Sequence, residues 1–183
     1  MDLDGFLIES EVKESSIPNA GKGRFFLKNY NKGKVIRIQE LETDLHVFKD
    51  INDIKQADED LILNFGHSRC KNSDIETDYV YVNKQPLFTN HSSNHNISFQ
   101  IQAGKKLTYL TRDVKAGEEM LQNYEEYSIN TWFENYLHSQ GKKSLREFGI
   151  EFNNERSNNE RSNNERSNNE RSNNERFNNE IEF

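Results

Sequence analysis

Cysteine is nearly absent: Cys70 stands alone in 183 residues. No intrachain disulfide is available to it, and a multi-cysteine zinc cluster is excluded. Apolar residues are scarce too, at 32%, below the usual share for a globular chain. No apolar run approaches the ~18 residues of a membrane-crossing helix. The opening MDLDGFLIES lacks both the basic start and the sustained apolar stretch of a secretory signal. These absences predict an intracellular, soluble chain without membrane attachment, in which the N-x-Ser sequons at Asn90 and Asn96 are coincidental. Basic charge is also outnumbered, with 24 Lys and Arg against 31 Asp and Glu and a net charge of −7. Direct nucleic-acid binding, which needs a basic face, is therefore not expected. An acidic surface instead favours a basic protein or peptide partner.

The apolar deficit is concentrated at one end. From Asn153 to Glu180 the chain reads NNERS four times, then NNERF and NNE, with Phe177 as its only apolar residue. A five-residue repeat of this kind gives a solenoid nothing to bury, and two Asn in every five residues sum to poor helix propensity. Disorder is the expectation for 151–183, with a weakly helical rod of Glu/Arg pairs as the alternative. The segment holds eight Glu and five Arg, or −3, which leaves −4 on residues 1–150. Those 150 residues carry enough Phe, Leu, Ile, Val and Tyr for one modest domain.

Within that body the patterning predicts short strands at Phe6 to Val12, Arg24 to Lys28, Val35 to Ile38 and Tyr79 to Val82. Ile97 to Ile101 alternates, turns at Ala103-Gly104 and resumes at Leu107 to Leu110, which reads as a hairpin. Residues 44–65 are ambiguous between a helix and a long insert. Thr131-x-x-Glu134 reads as a capping box opening a helix, with Trp132, Phe133, Tyr136 and Leu137 on one face and Gly141 at its end. Ser144-x-x-Glu147 marks one more helical turn. Many short strands, few helices and no regular βαβ alternation give a mainly β fold.

Three segments look chemical. Gly21-Lys22-Gly23 lets backbone approach a ligand closely, because glycine has no Cβ to clash. Asn90-His91-Ser92-Ser93-Asn94-His95-Asn96 is too polar and too rich in turn formers for ordinary core. Gly117-Glu118-Glu119-Met120-Leu121-Gln122-Asn123-Tyr124 ends a glycine turn in a phenol hydroxyl. Taken singly, each is weak. In this order, with Arg112-Asp113-x-x-Ala116 leading into the third, the set resembles the SET-domain protein lysine methyltransferases, whose turns read G-x-G, N-H-S-x-x-P-N and G-E-E-L-x-x-x-Y. The resemblance covers roughly residues 6–130 and is weak between Leu41 and Asp78.

That resemblance implies a β-clip-like SET fold of small sheets with a pseudoknot, an exception to the usual avoidance of knots. The core would span 6–130, with a C-terminal helical cap over 131–150. S-adenosyl-L-methionine would lie between Gly21, Lys22 and Gly23 on one side and Asn90 and His91 on the other. A lysine of a protein or peptide substrate would enter from the opposite face, with Tyr124 as the catalytic hydroxyl and Tyr81, Tyr127 and Trp132 along the channel. Three departures from the pattern stand out. His95 replaces its proline, Asn123-Tyr124-Glu125 replaces Asp-Tyr-Gly, and the cysteine-rich segment that closes the channel in many relatives is missing. Trp132, Phe133 and Tyr136 are candidates to close it instead, or simply to pack a helix on the body. A SET fold without activity, acting as a binding module tethered by its tail, is the alternative function. His67-x-x-Cys70 with His91-x-x-x-His95 has zinc-like spacing, but one thiolate on two polar loops is a poor ligand set, and no metal is expected.

Overall fold

Ala103 and Gly104 both take positive φ, 48° and 76°, the backbone that a two-residue hairpin turn requires. The strands they join, β7 (Ile97–Gln102) and β8 (Lys105–Leu110), pair antiparallel from Ile97 opposite Leu110 to Gln102 opposite Lys105. In this computed structural model, which describes residues 5–54, 59–68 and 79–158, that hairpin is the centre of the largest sheet. β3 (Val35–Glu40) pairs with the free side of β8. Beyond β7 come β9 (Leu121–Gln122) and then β6 (Asn90–His91), giving the order β3-β8-β7-β9-β6.

β9 is the last of these strands in sequence, yet it lies between β6 and β7, parallel to both. Only 92–96 separates β6 from β7, so the late strand inserts beside a short loop that joins its two neighbours. This is the pseudoknot. Asn96 is fully buried at the crossing and substitutes for a missing strand partner. Its Nδ2 donates to the Glu119 carbonyl at 2.7 Å, its Oδ1 accepts from the Leu121 amide at 2.9 Å, and its own amide donates to the Leu121 carbonyl at 3.0 Å. Ser92 closes the other flank by donating its amide to the Gln122 carbonyl.

Two smaller sheets complete the body. β1 (Ser10–Glu14) pairs with β2 (Lys22–Phe26), and β2 also meets 117–120 through the Phe26 amide to Glu118 carbonyl and the Met120 amide to Arg24 carbonyl. The first strand thus starts at Ser10, later than the pattern over Phe6 to Val12 suggests; Phe6 forms only an isolated bridge to Arg37. β4 (Leu45–Phe48) pairs with β5 (Val80–Asn83). Between them lies α2 (Glu59–Phe65), and the short α1 (Leu41–Asp44) precedes them. The ambiguous middle is therefore an insert carrying its own two-stranded sheet and helix. One core cluster gathers Phe6, Ile8, Phe26, Ile36, Ile97 and Leu110 under the main sheet; a second gathers Phe48, Ile62, Val80, Val82, Phe133 and Leu137 beneath the insert.

The helix α3 (Thr131–Ser139) is capped by Asn130, not Thr131: the Asn130 side chain accepts from the Phe133 amide. Phe133, Tyr136 and Leu137 are buried, as the pattern predicts. The Ser144 box does form, with the Glu147 amide donating to Ser144 Oγ and the Ser144 amide to Glu147 Oε2. It opens a helix, α4, that runs over 145–158. Residues 151–158, where disorder was the expectation, are thus helical, and the first NNERS unit is part of that helix. The remaining repeats lie outside the described residues. The chain divides into two units, Met1–Gly149 and Ile150–Phe183.

Asn96→Ala strips one buried and one part-buried backbone group of their partners, at about 1–3 kcal/mol for a buried group left unsatisfied. Urea denaturation of this variant is expected to show a loss of about 2–4 kcal/mol with an unchanged slope; a loss within error of zero would remove Asn96 from the crossing.

Candidate functional site

Glu119 sits at the point where the three motif segments meet, only 5% exposed. Its Oε1 accepts from Ser15 Oγ and Asn90 Nδ2, both at 2.8 Å. Oε2 accepts from the Ser16 amide at 2.8 Å and from Ser16 Oγ at 2.6 Å. Burial alone would raise its pKa, but the hydrogen bonds from Ser16, Asn90 and Ser15 outweigh burial and hold the carboxyl below the usual value. Asn90 Nδ2 also lies 3.1 Å from the Lys22 carbonyl. Gly23 completes the contact by absence: a Cβ there would stand 2.1 Å from Glu119 Oε1. The second glycine of G-x-G thus admits a carboxylate of the chain itself. Gly21, at φ 68°, has open space around it and serves the turn.

Tyr124 follows β9 in a short 3-10 turn, Tyr124–Glu126. Its hydroxyl donates to the Thr89 carbonyl at 2.8 Å, and its amide donates to His91 Nδ1 at 3.1 Å. The second bond requires an unprotonated Nδ1, so His91 is the Nε2–H tautomer. The two rings lie tilted with centroids 5.2 Å apart. Burial pushes the Tyr124 hydroxyl up to about 12, which keeps it a neutral phenol at ordinary pH. Gly149 of α4 packs directly on this pair, and a Cβ there would meet Tyr124 Cβ at 3.0 Å and His91 Cε1 at 3.2 Å.

A cavity of about 540 Å³ opens beside these residues, and Lys22, Asn90, Tyr124 and Tyr127 all line it. Gly21, Gly23 and His91 do not line it. Tyr127 lines the same cavity, with its ring 5.9 Å from Tyr124 and 5.6 Å from Phe99. Tyr81 and Trp132 fall elsewhere. Tyr81 packs with Leu45 and Ile101 and faces a separate groove; Trp132 packs on the Phe48–Val80 cluster. Closure near Tyr124 comes instead from Leu145 and Gly149 of α4, one helix later than the sequence suggests.

His67 and Lys106 also line the cavity, and sequence reading gave neither of them a role there. The Phe65 carbonyl, 3.3 Å from His67 Nδ1, can only accept, so Nδ1 carries the proton and Nε2 accepts from Lys106 Nζ at 2.8 Å. The Lys106 ammonium also sits 4.2 Å above the Phe99 ring. Burial first, then the Lys106 charge, holds the His67 pKa well below 6.5. This arrangement speaks against zinc at His67. His91 is likewise engaged with Tyr124, and His95, in the place of the proline, pairs its Nε2 with Glu126 Oε1 at 3.1 Å. Cys70 lies outside the described residues. Among those described, no group of three or more His, Cys, Asp or Glu is placed to hold a metal ion.

No family model matches the chain, and no curated protein matches it either. Solved structures do. Chaetomium thermophilum Polycomb Repressive Complex 2 bound to GSK126 is similar over 72% of this chain, at 16% identity and a TM-score of 0.51. Apo ctPRC2 with two substitutions in Ezh2 is similar over 68%, at 17% identity and a TM-score of 0.50. CpSET8 from Cryptosporidium is similar over 63% of this chain and 56% of its own, at 20% identity, but its TM-score of 0.44 is too low to carry weight. The chain spans only 16–17% of the length of the first two. The fold is that of the SET-domain protein lysine methyltransferases. Identities this low establish the fold alone.

Two outcomes test the site's construction. Gly23→Ala forces the Glu119 carboxylate out of four hydrogen bonds, so thermal denaturation is expected to show a loss of about 1–3 kcal/mol; an unchanged midpoint would contradict the packing. His95 has its pKa raised, first by its hydrogen bond with Glu126. A raised pKa contributes stability that is full below the unfolded value near 6.5 and is lost as pH rises through the folded value. His95→Gln is therefore expected to destabilise more at pH 5.5 than at pH 8.5; an equal loss at both would remove the ion pair from the account.

Proposed function

We propose that the chain binds S-adenosyl-L-methionine and supports methyl transfer to a lysine side chain of a protein. The observation carrying this reading is that 21–23, 90–91 and 119–124, far apart in sequence, are tied together at Glu119 and border one cavity beside a neutral tyrosine. At about 540 Å³ the cavity falls in the range of small-molecule sites, about 300–1,000 Å³. Lys22 offers a cation for a carboxylate, and the backbone at 88–90 offers groups for a polar rim. These residues fit the cofactor. When bound, it supplies a methyl group on a sulfonium.

The chain's own part is alignment and desolvation. An in-line displacement gains much of its acceleration from holding donor and acceptor in register. The Tyr124 proton is committed to the Thr89 carbonyl, so the phenol oxygen retains lone pairs to accept an N–H from an incoming amine and aim its own lone pair. Tyr127 and Leu145 add apolar surface there, beside His67 and the Lys106 ammonium; partial desolvation and a nearby positive charge both favour an uncharged acceptor. Thr89, His91 and Gly149 hold Tyr124 in place. No covalent nucleophile is required, because the amine itself attacks.

Transfer of labelled methyl groups from S-adenosyl-L-methionine into a cell lysate tests this reading. Tyr124→Phe is expected to lower transfer by about 100-fold or more, with a thermal midpoint within a few degrees of the parent. Cofactor binding with no transfer to any protein would identify a binding module instead. Equal transfer by parent and variant would remove Tyr124 from the chemistry.

A further inference from the structure

The net charge of −7 favours a basic partner, but the cavity is lined with the opposite sign. Among the described residues that border it there is no Asp or Glu, whereas Lys22 and Lys84 stand exposed at its edge. Glu119 of the motif set is buried and held by Ser15, Ser16 and Asn90. Lys84 donates to the Thr43 carbonyl, and an ammonium with three donors keeps the capacity for another acceptor. Long-range charge sets encounter rates, but residues at the rim decide which sequence is held.

Part of the same rim is apolar and exposed to solvent. Phe65, the last residue of α2, is 57% exposed, and Phe88 is 36% exposed. Both border the cavity, with Leu61 and Pro86 beside them. Exposed aromatic side chains converging on one concavity are the usual anchors of a binding surface. Phe88 has a further peculiarity: its φ is 54°, a left-handed backbone that bulky residues rarely adopt. The Arg24 amide to the Phe88 carbonyl (2.8 Å), Arg24 Nε to the Leu87 carbonyl (3.1 Å) and the Tyr124 hydroxyl to the Thr89 carbonyl hold it there. Surrounding structure therefore enforces a strained conformation that leaves an aromatic ring partly in water.

We infer that the protein segment docking at this cavity presents its acceptor lysine next to an apolar side chain and acidic residues, and not within a basic run; the inference rests on the methyl-transfer reading above. The apolar side chain packs on Phe65 and Phe88, and the acidic residues meet Lys84. A basic segment would place like charges at Lys84 and leave both rings exposed.

Fluorescence anisotropy tests this without requiring turnover. Two labelled peptides, each with one lysine, carry either Leu, Phe, Glu and Asp or Arg and Gly around it, and are titrated with the full chain in the presence of S-adenosyl-L-methionine. The acidic-apolar peptide is expected to bind at least about tenfold more tightly, and less tightly as salt rises. Phe65→Ala, at an exposed site, should weaken it by about tenfold, and Lys84→Glu should shift preference toward the basic peptide. Equal or tighter binding of the basic peptide, or acidic-peptide binding unaffected by both substitutions, overturns the inference. Methyl transfer read in the same samples separates the two proposals. Preferential binding without transfer removes the catalytic reading and leaves the docking surface, whereas transfer without the preference does the reverse.

Discussion

A carboxylate taken out of water must be given partners, and the protein uses that demand to place its site. Glu119 is buried among two serines from the β1–β2 loop and one asparagine from β6. The serines and the asparagine come from two distant parts of the chain, so satisfying one charged group fixes the β1–β2 loop and β6 against residue 119 at once. An unpaired buried charge would cost several kcal/mol, and few arrangements satisfy this one. Gly23 belongs to the same constraint, since any side chain there would displace the carboxylate.

The crossing of 92–96 with β9 carries the constraint outward. Asn96 supplies backbone-like hydrogen bonds where the ladder runs out, and β9 delivers Tyr124 two residues later against His91. α4 then lays Gly149 against Tyr124 Cβ and the His91 ring. Thus the glycine turn, the polar loop, the tyrosine and residues 145–149 are connected, and Tyr124 is held by its hydroxyl, its amide and the His91 ring beside its own.

Much of this was legible in the sequence where local rules decide. The β7–β8 hairpin followed from alternation and from Ala103-Gly104, and the buried face of α3 from the spacing of Phe133, Tyr136 and Leu137. Tyr124, Asn90 and Lys22 were legible through motif order and do border the cavity. The misses have separate physical causes. Asn130 outcompeted Thr131 as a cap by one residue because both side chains can accept. Tyr81 and Trp132, read as channel residues, were drawn into neighbouring apolar clusters. The bonds from Ser15 and Ser16 to Glu119 span more than 100 residues, and no local pattern announces them. α4 was read as one turn because NNERS is a poor helix former, but its apolar start at Leu145, Phe148 and Ile150 and its Ser144 cap carry the helix into the repeat.

If the Glu119 junction assembles a cofactor site, the cofactor must report on it. Calorimetric titration of the folded chain with S-adenosyl-L-methionine is the most direct measurement. Saturable one-to-one binding is expected, weakened by about tenfold or more in Glu119→Gln, which keeps the volume but disrupts the hydrogen bonds from Ser15, Ser16 and Asn90. Absence of binding by the parent, in samples whose circular dichroism shows a folded protein, would contradict the account.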